Sequence, residues 1–268
     1  MCLNFVIVYL YFCNVFKVVI IGTGNIAFHF SKVILENNNL KLCQIIGRQK
    51  KIDQEFEEKI DYENNIKKIK PADLYLICVS DNAIQSVSNK IEKNSSSIVA
   101  HCSGSTDIEI LSNHENYGVI YPLQTFSKNR EIKFSDLPIL IESNNKKTLK
   151  KLDFFCKSLS EKIIYCKSNQ RVFVHISAIF SNNFGNYLNV VSQKILKSNK
   201  LDTKIILPLI KETADKLFDL DAKDSQTGPA IRNDDETIKK HLHLLKNSEF
   251  FELYEILSKS ILKNRNEL

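Results

Sequence analysis

The chain has 268 residues, 43% of them hydrophobic and 25% charged, with a formal net charge of +6. That length can bury a sizeable core as one large domain or two modest ones, and the composition excludes wholesale disorder. Lysine is scattered among Asn and Ile without the arginine and aromatic clustering of a nucleic-acid stripe, so the positive charge reads as a solvated surface.

Residues 1–16, MCLNFVIVYLYFCNVF, are apolar but lack the basic start of a signal peptide. A membrane span needs about 20 apolar residues and would consume the strand that follows. The segment is therefore expected to be an extension ahead of the first domain, with a membrane anchor as the alternative. The seven cysteines (Cys2, Cys13, Cys43, Cys78, Cys102, Cys156, Cys166) form no CxxC pair and no metal-type cluster. Dispersed in apolar surroundings, they read as reduced thiols of a cytoplasmic protein with no metal site.

From residue 17 to 165, short apolar runs alternate with helix-like segments. KVVII (17–21), LCQII (42–46), LYLICV (74–79), SIVAH (97–101), YGVIYP (117–122) and PILIE (138–142) are the expected strands. IAFHFSKVILE (26–36) and NAIQSVSNKI (82–91) carry apolar residues at three- and four-residue spacing, as helices do. Alternation of strand and helix predicts a parallel sheet covered on both faces, a Rossmann-like α/β domain. Residues 166–268 read as an all-helical C-terminal domain, with 171–196, 204–220, 235–246 and 250–262 all helical in period.

Between the first strand and the first helix lies GTGNIA, a GxGxxA loop of Gly22, Thr23, Gly24, Asn25, Ile26 and Ala27. Gly22 suits a tight turn, Gly24 lets backbone approach a pyrophosphate, and Ala27 permits close helix–strand packing. The amides opening the helix then face phosphate with the positive end of the helix dipole. A tight turn needing glycine for backbone reasons alone is the alternative. After the second strand an NAD site usually places an acid for the ribose hydroxyl. Here Gly47-Arg48-Gln49-Lys50-Lys51 follows instead, and the nearest acid is Asp53. Arg48, with Lys50 or Lys51, suits a ribose 2′-phosphate, so the expected cofactor is NADP.

Ligands of open α/β sheets bind beyond the carboxyl ends of the strands. That singles out Ser80 and Asp81, the Ser103-Gly104-Ser105 turn, and Gln124-Thr125. Ser80 is expected at the cofactor, Ser103 at the reacting group and Gln124 at the substrate. Helix capping would explain Ser80 and Asp81 as well as function does, and a plain turn would explain Ser103.

GTGNIA, HCSGS, YPLQTF, HISAIFSNNFGNYL and QTGPAIRNDDETIKKH occur in this order. Together they resemble a bacterial family that pairs a Rossmann-like domain with a C-terminal helical domain of unknown function and is often labelled as NADP oxidoreductases. The resemblance covers almost the whole chain beyond residue 16. In architecture the family is similar to pyrroline-carboxylate reductases, β-hydroxyacid dehydrogenases and deazaflavin-dependent NADP reductases. It implies a helical domain, like the C-terminal domain of 6-phosphogluconate dehydrogenase, that forms a homodimer and closes the nicotinamide cleft. It implies no particular substrate.

In the helical half, His175, Asn182, Asn183 and Asn186 interrupt an apolar run. Taken as an α-helix, His175 and Asn182 share a face two turns apart, and a buried helix carrying them must satisfy them by hydrogen bonds. Related hydroxyacid dehydrogenases carry a catalytic Lys followed by Asn on the corresponding helix, whereas no Lys falls in residues 171–193. His175, with Asn183, is the candidate to move the proton that accompanies hydride transfer, and Asn182 is a substrate candidate. Gly228-Pro229 and an Asp234 cap explain most of QTGPAIRNDDET as a helix boundary. They leave Thr227 and Arg232 as candidate substrate or dimer contacts. His241 and His243 lie two apart on a helix and do not share a face as metal ligands would.

The expected function is hydride transfer between NADP and a small carbonyl, imine or deazaflavin-like partner. The alternative is a non-catalytic, dimeric NADP-binding sensor, for which the missing Lys argues.

Overall fold

A computed structural model describes residues 15–265 of the chain. Contacts divide it into a first unit that ends at Asn182 and a second that begins at Asn183. The expected extension, Cys2 and Cys13 lie outside the described residues, apart from the last residues before the first strand.

The first unit is built on eight strands. These are β1 (Phe16–Ile21), β2 (Leu40–Ile46), β3 (Tyr62–Glu63), β4 (Leu74–Ile77), β5 (Ile98–His101), β6 (Tyr117–Pro122), β7 (Ile139–Ser143) and β8 (Ile163–Tyr165). They lie in the order β3-β2-β1-β4-β5-β6-β7-β8. All pairings are parallel except β6 with β7, where the chain turns back and pairs antiparallel. The order reverses direction between β1 and β4, which is where open sheets of this kind receive ligands.

Side chains alternate across the sheet and are buried on both sides. Val18, Ile20, Leu74, Leu76, Ile98 and Ile120 pack on one face with Phe30 and Ile34 of helix α1 (Asn25–Leu35) and with Leu152 and Phe155 of another helix. Val19, Ile21, Ile77, Val99, Val119 and Tyr121 pack on the opposite face with Ile84 of the short helix α2 (Ile84–Ser88). The helix carrying Leu152 and Phe155 is α3 (Lys146–Lys157), started by Asn145, whose side chain accepts from the Thr148 amide. Burying Phe155 contributes roughly 2–3 kcal/mol relative to leaving it in water.

Helix α4 (Ser168–Ala178) also groups with the first unit, although a reading by period alone places it in the helical domain. The cause is Arg171, which is 1% exposed. Its guanidinium donates to Glu142 Oε2 on β7 at 2.6 Å and to the Thr106 carbonyl at 2.6 Å. Val174, one turn along, packs on the Tyr121 face of the sheet.

Beyond α4 the helix widens into a π segment, Ile179–Phe184, before α5 (Gly185–Ser198). The second unit continues with α6 (Leu207–Asp219), α7 (Asp235–Leu245) and α8 (Phe251–Asn264). Within it, His241 Nδ1 and the Tyr254 hydroxyl lie 2.7 Å apart. Asp234 accepts from the Thr237 amide, capping α7 as its sequence position predicts. No described helix is long and apolar enough to cross a membrane.

Candidate functional site

At the carboxyl ends of β1, β2, β4, β5 and β6 a cavity of about 910 Å³ opens. Gly22, Thr23, Gly24, Asn25, Ile26, Arg48, Ser80, Ser103 and Gln124 all line it, so one concavity gathers candidates spread over more than a hundred positions of sequence.

The loop geometry follows from its glycines. Gly22 has φ +136°, and a Cβ there would meet the Cys78 carbonyl oxygen at 2.1 Å, so no other residue fits this turn without moving β4's end. A Cβ on Gly24 would meet nothing within 4 Å. The space in front of it is the open cavity, so the missing side chain leaves room for a ligand's own atoms. Helix α1 begins there with no side-chain cap and no acid in its first turn. Its first amides and positive end therefore stand uncompensated toward the cavity, the chemistry that receives a phosphate. Ala27 does not line this cavity; it is 2% exposed in the core and lets α1 pack closely on the sheet.

Asn25 donates from its side-chain amide to the Phe126 carbonyl at 2.8 Å, and His29 Nε2 lies 3.0 Å from the Ser127 carbonyl. These bonds tie the segment after β6 to α1, so the Asn25 amide serves the cavity's architecture. Arg48 sits exposed on the cavity wall just beyond β2. Asp53 is ion-paired with Lys128, which binds that segment too and occupies the nearest acid. Ser80 precedes the turn into α2 and makes no side-chain capping bond, whereas Asp81 accepts from the Ser105 hydroxyl at 2.8 Å.

Ser103 is buried, and its hydroxyl is engaged on several sides. It donates to Thr106 Oγ1 at 2.9 Å and accepts from the Ser105 and Thr106 amides at 3.2 and 2.9 Å. The turn is thus held by the very group expected at the reacting centre. Just before it, the buried His101 accepts from the Ser103 amide at Nδ1, which places its proton on Nε2. Burial, reinforced by the Arg171 charge, lowers the His101 pKa to about 4, so the ring is neutral. Cys78 and Cys102 line the cavity with their sulfurs 3.6 Å apart. Burial pushes the Cys102 thiol well up, and all described cysteines are free.

His175 is half-buried on α4, with Nδ1 3.0 Å from the Tyr121 hydroxyl at the end of β6. Tyr121 carried no signal in the sequence, since it reads there as one more aromatic of a buried strand. Burial raises its phenol pKa, against the opposing pull of Arg171.

The asparagines behave differently from the buried polar stripe that α-helical spacing predicts. Asn182 lies in the π segment, whose wider turns advance less rotation per residue, so the two-turn spacing from His175 no longer assigns it the same face. Asn182, Asn183 and Asn186 are exposed in the chain and need no internal partner. Thr227 and Arg232 are exposed in the second unit. Gly228 there takes φ +111°, as a helix-boundary turn requires.

Residues 137–261 match a family described as a domain of unknown function, DUF2520. No curated protein matches the chain. A provisionally named NADP oxidoreductase from Bacteroides fragilis is 32% identical, with a TM-score of 0.84 over 92% of this chain and 98% of that one. Pyrroline carboxylate reductase from Plasmodium falciparum, solved with NADP bound, is 15% identical, with a TM-score of 0.60 over 93% and 97% of the two chains. An imine reductase from a Pseudomonas species is also 15% identical, with a TM-score of 0.60 over 94% and 93%. The last two share the fold.

Proposed function

Because this chain belongs to the family of Rossmann-like proteins that carry the DUF2520 domain, we propose that it is an NADP-dependent oxidoreductase. Hydride would pass between the nicotinamide and a small carbonyl, imine or deazaflavin-like partner. Likeness in fold to enzymes named as pyrroline carboxylate and imine reductases favours a C=N bond. The observation that carries the reading is the cavity at the β1/β4 reversal, where a bare Gly24 and an uncompensated helix start meet open space. A dinucleotide bound there would supply or accept the hydride. The chain's own residues would orient it, exclude water and manage the proton.

NADP is preferred over NAD in this proposal because Arg48 stands on the cavity wall and Asp53 is held by Lys128. Arg48, Ser80 and the loop 22–26 would hold the cofactor, Gln124 and the Ser103 turn the substrate, and His175 with Asn183 the proton. Asn182, Thr227 and Arg232 stay candidates for substrate or subunit contact. The chain would work as a cytoplasmic homodimer through its helical unit. That unit's buried apolar side chains are only Val191, Ala230 and Phe250 among the described residues, and a second copy offers the same apolar chemistry under two-fold symmetry.

Calorimetric titration with NADP and NAD, repeated on Arg48→Ala, tests the cofactor. NADP is expected to bind more tightly, and the variant to lose roughly tenfold to a hundredfold, the worth of charge-assisted hydrogen bonds. Failure to bind either nucleotide sinks the proposal. A dimeric sensor is the second reading, supported by the absence of Lys from residues 171–193. It predicts tight NADP binding with no turnover of any cyclic imine, ketone or deazaflavin offered.

A further inference from the structure

We propose that Tyr121 is a positioning residue, holding the His175 ring by Nδ1 so that Nε2 exchanges the proton that accompanies hydride transfer. This rests on the oxidoreductase reading and adds to it a residue and an atom.

Three independent features converge on the pair. The Tyr121 hydroxyl lies 3.0 Å from Nδ1, and the two rings meet edge to face with centroids 5.9 Å apart. Gly104, beside the cavity-lining Ser103, presses on both rings: a Cβ there would lie 2.7 Å from His175 Nδ1 and 2.8 Å from Tyr121 Cζ. The turn therefore reaches the pair only because position 104 has no side chain. One helical turn before His175, Arg171 clamps α4 to β7 and to the same turn through Glu142 and Thr106. Ring, hydroxyl and turn are thus fixed by three elements together.

The chemistry then separates the two ring nitrogens. A phenol both donates and accepts, so Tyr121 can partner Nδ1 whether or not that nitrogen carries a proton. In this assignment Nε2 is the nitrogen that exchanges. Burial keeps the Tyr121 phenol protonated, and the Ser103 hydroxyl is occupied by its turn, so neither competes as proton source. In the reductive direction a bound reduced dinucleotide would supply the hydride, its own C–H bond breaking as the substrate's new C–H bond forms and the C=N or C=O π bond opens. The π electron pair would settle on the heteroatom, which would take a proton held at Nε2, and solvent would return that proton to the ring. Among the described residues the charges acting on the Tyr121 phenol include Arg171, ion-paired with Glu142, and Asp81, which accepts from Ser105.

The test uses the full chain labelled with ¹⁵N, with the His175 signals among the six histidines assigned by their loss in His175→Gln. In Tyr121→Phe the Nδ1 resonance and the His175 titration midpoint are both expected to move, while NADP affinity by calorimetry stays unchanged. With a cyclic imine as acceptor, Tyr121→Phe should reduce turnover roughly tenfold, the worth of one hydrogen bond, and shift the pH profile with the midpoint. His175→Gln should lose roughly a hundredfold or more. Unchanged Nδ1 and midpoint in Tyr121→Phe, with NADP still bound, overturn the assignment alone. Tyr121→Phe as damaging as His175→Gln, with the titration unmoved, overturns it in favour of Tyr121 as the donor. A chain that binds no nucleotide sinks the oxidoreductase reading and the assignment with it.

Discussion

In the first unit, Val18 and Ile20 turn to one side of the sheet and Val19 and Ile21 to the other, and all four are buried. In the second unit, Leu209, Phe218, Leu244 and Ile256 sit on helices of the same amphipathic kind, yet each is more than half exposed. Both regions spend apolar residues at the period of their secondary structure. The sheet unit has opposing layers of its own to receive them. A sheet closed by helices on both faces can be stable alone, whereas helices with one apolar stripe each require another surface. The division after Asn182 fits this view, because α4 joins the sheet by burying Arg171 against Glu142.

If that comparison holds, the largest effect comes from truncating the sheet core. Phe155 is fully buried, with its ring centroid 5.9 Å from that of Phe16 and 6.4 Å from that of Phe30. Phe155→Ala is expected to destabilise the first unit by about 3–5 kcal/mol in urea denaturation followed by circular dichroism. A loss below about 1 kcal/mol would break the comparison at its stronger end.

A somewhat smaller effect follows from His101. Its pKa falls from an ordinary 6.5 to about 4 because burial, then the Arg171 charge, disfavours the charged ring. Between those values the unfolded chain binds a proton that the folded chain refuses. Stability is therefore full above pH about 6.5 and declines as pH falls toward about 4. The whole decline from this group is roughly 3 kcal/mol. His101→Asn, which keeps an acceptor near the Ser103 amide, should flatten that part of the slope. His114, whose pKa is also lowered by burial, would leave a remainder. An identical slope in the variant would show that other groups control the acid side.

How much of this was legible beforehand depends on how local the signal is. The strand YGVIYP was read to the residue as β6, and the GTGNIA loop as a strand–turn–helix, because periodicity and glycine placement act over a few positions. The two residues of β3 and the three of β8 are too short to carry a period. The antiparallel β6–β7 pairing is a matter of chain return, which composition does not encode. The site divides in the same way. Gly22, Gly24, Arg48 and Ser103 were readable from strand ends, and the cavity gathers them. Tyr121 meets His175 across 54 positions, and nothing in either neighbourhood announces the other. Across the asparagines the spacing is not a guide to a shared face, because a π segment breaks the rotation that an α-helix would give.

The smallest effect on the folded chain, and the sharpest test of the second unit, is expected at Phe218. This ring is 89% exposed near the end of α6. In a self-sufficient monomer, replacing so exposed a side chain changes stability by no more than about 0.5 kcal/mol. If the helical unit's apolar surface is covered by a second copy, Phe218→Lys places an unpaired ammonium where apolar contact is needed, and association suffers while the monomer does not. Sedimentation velocity over a concentration series should show the dissociation constant rising at least roughly tenfold, which corresponds to about 1.4 kcal/mol. Thermal unfolding of the sheet unit should stay in place. Were the wild-type chain monomeric at every concentration, the contrast between the units would stand but its explanation by self-association would fall. The helical faces would then need a different partner. A variant that dimerises as well as the wild type would instead place the interface elsewhere on the helical unit, and Leu244→Lys on α7, at 73% exposure, would be the next position to try.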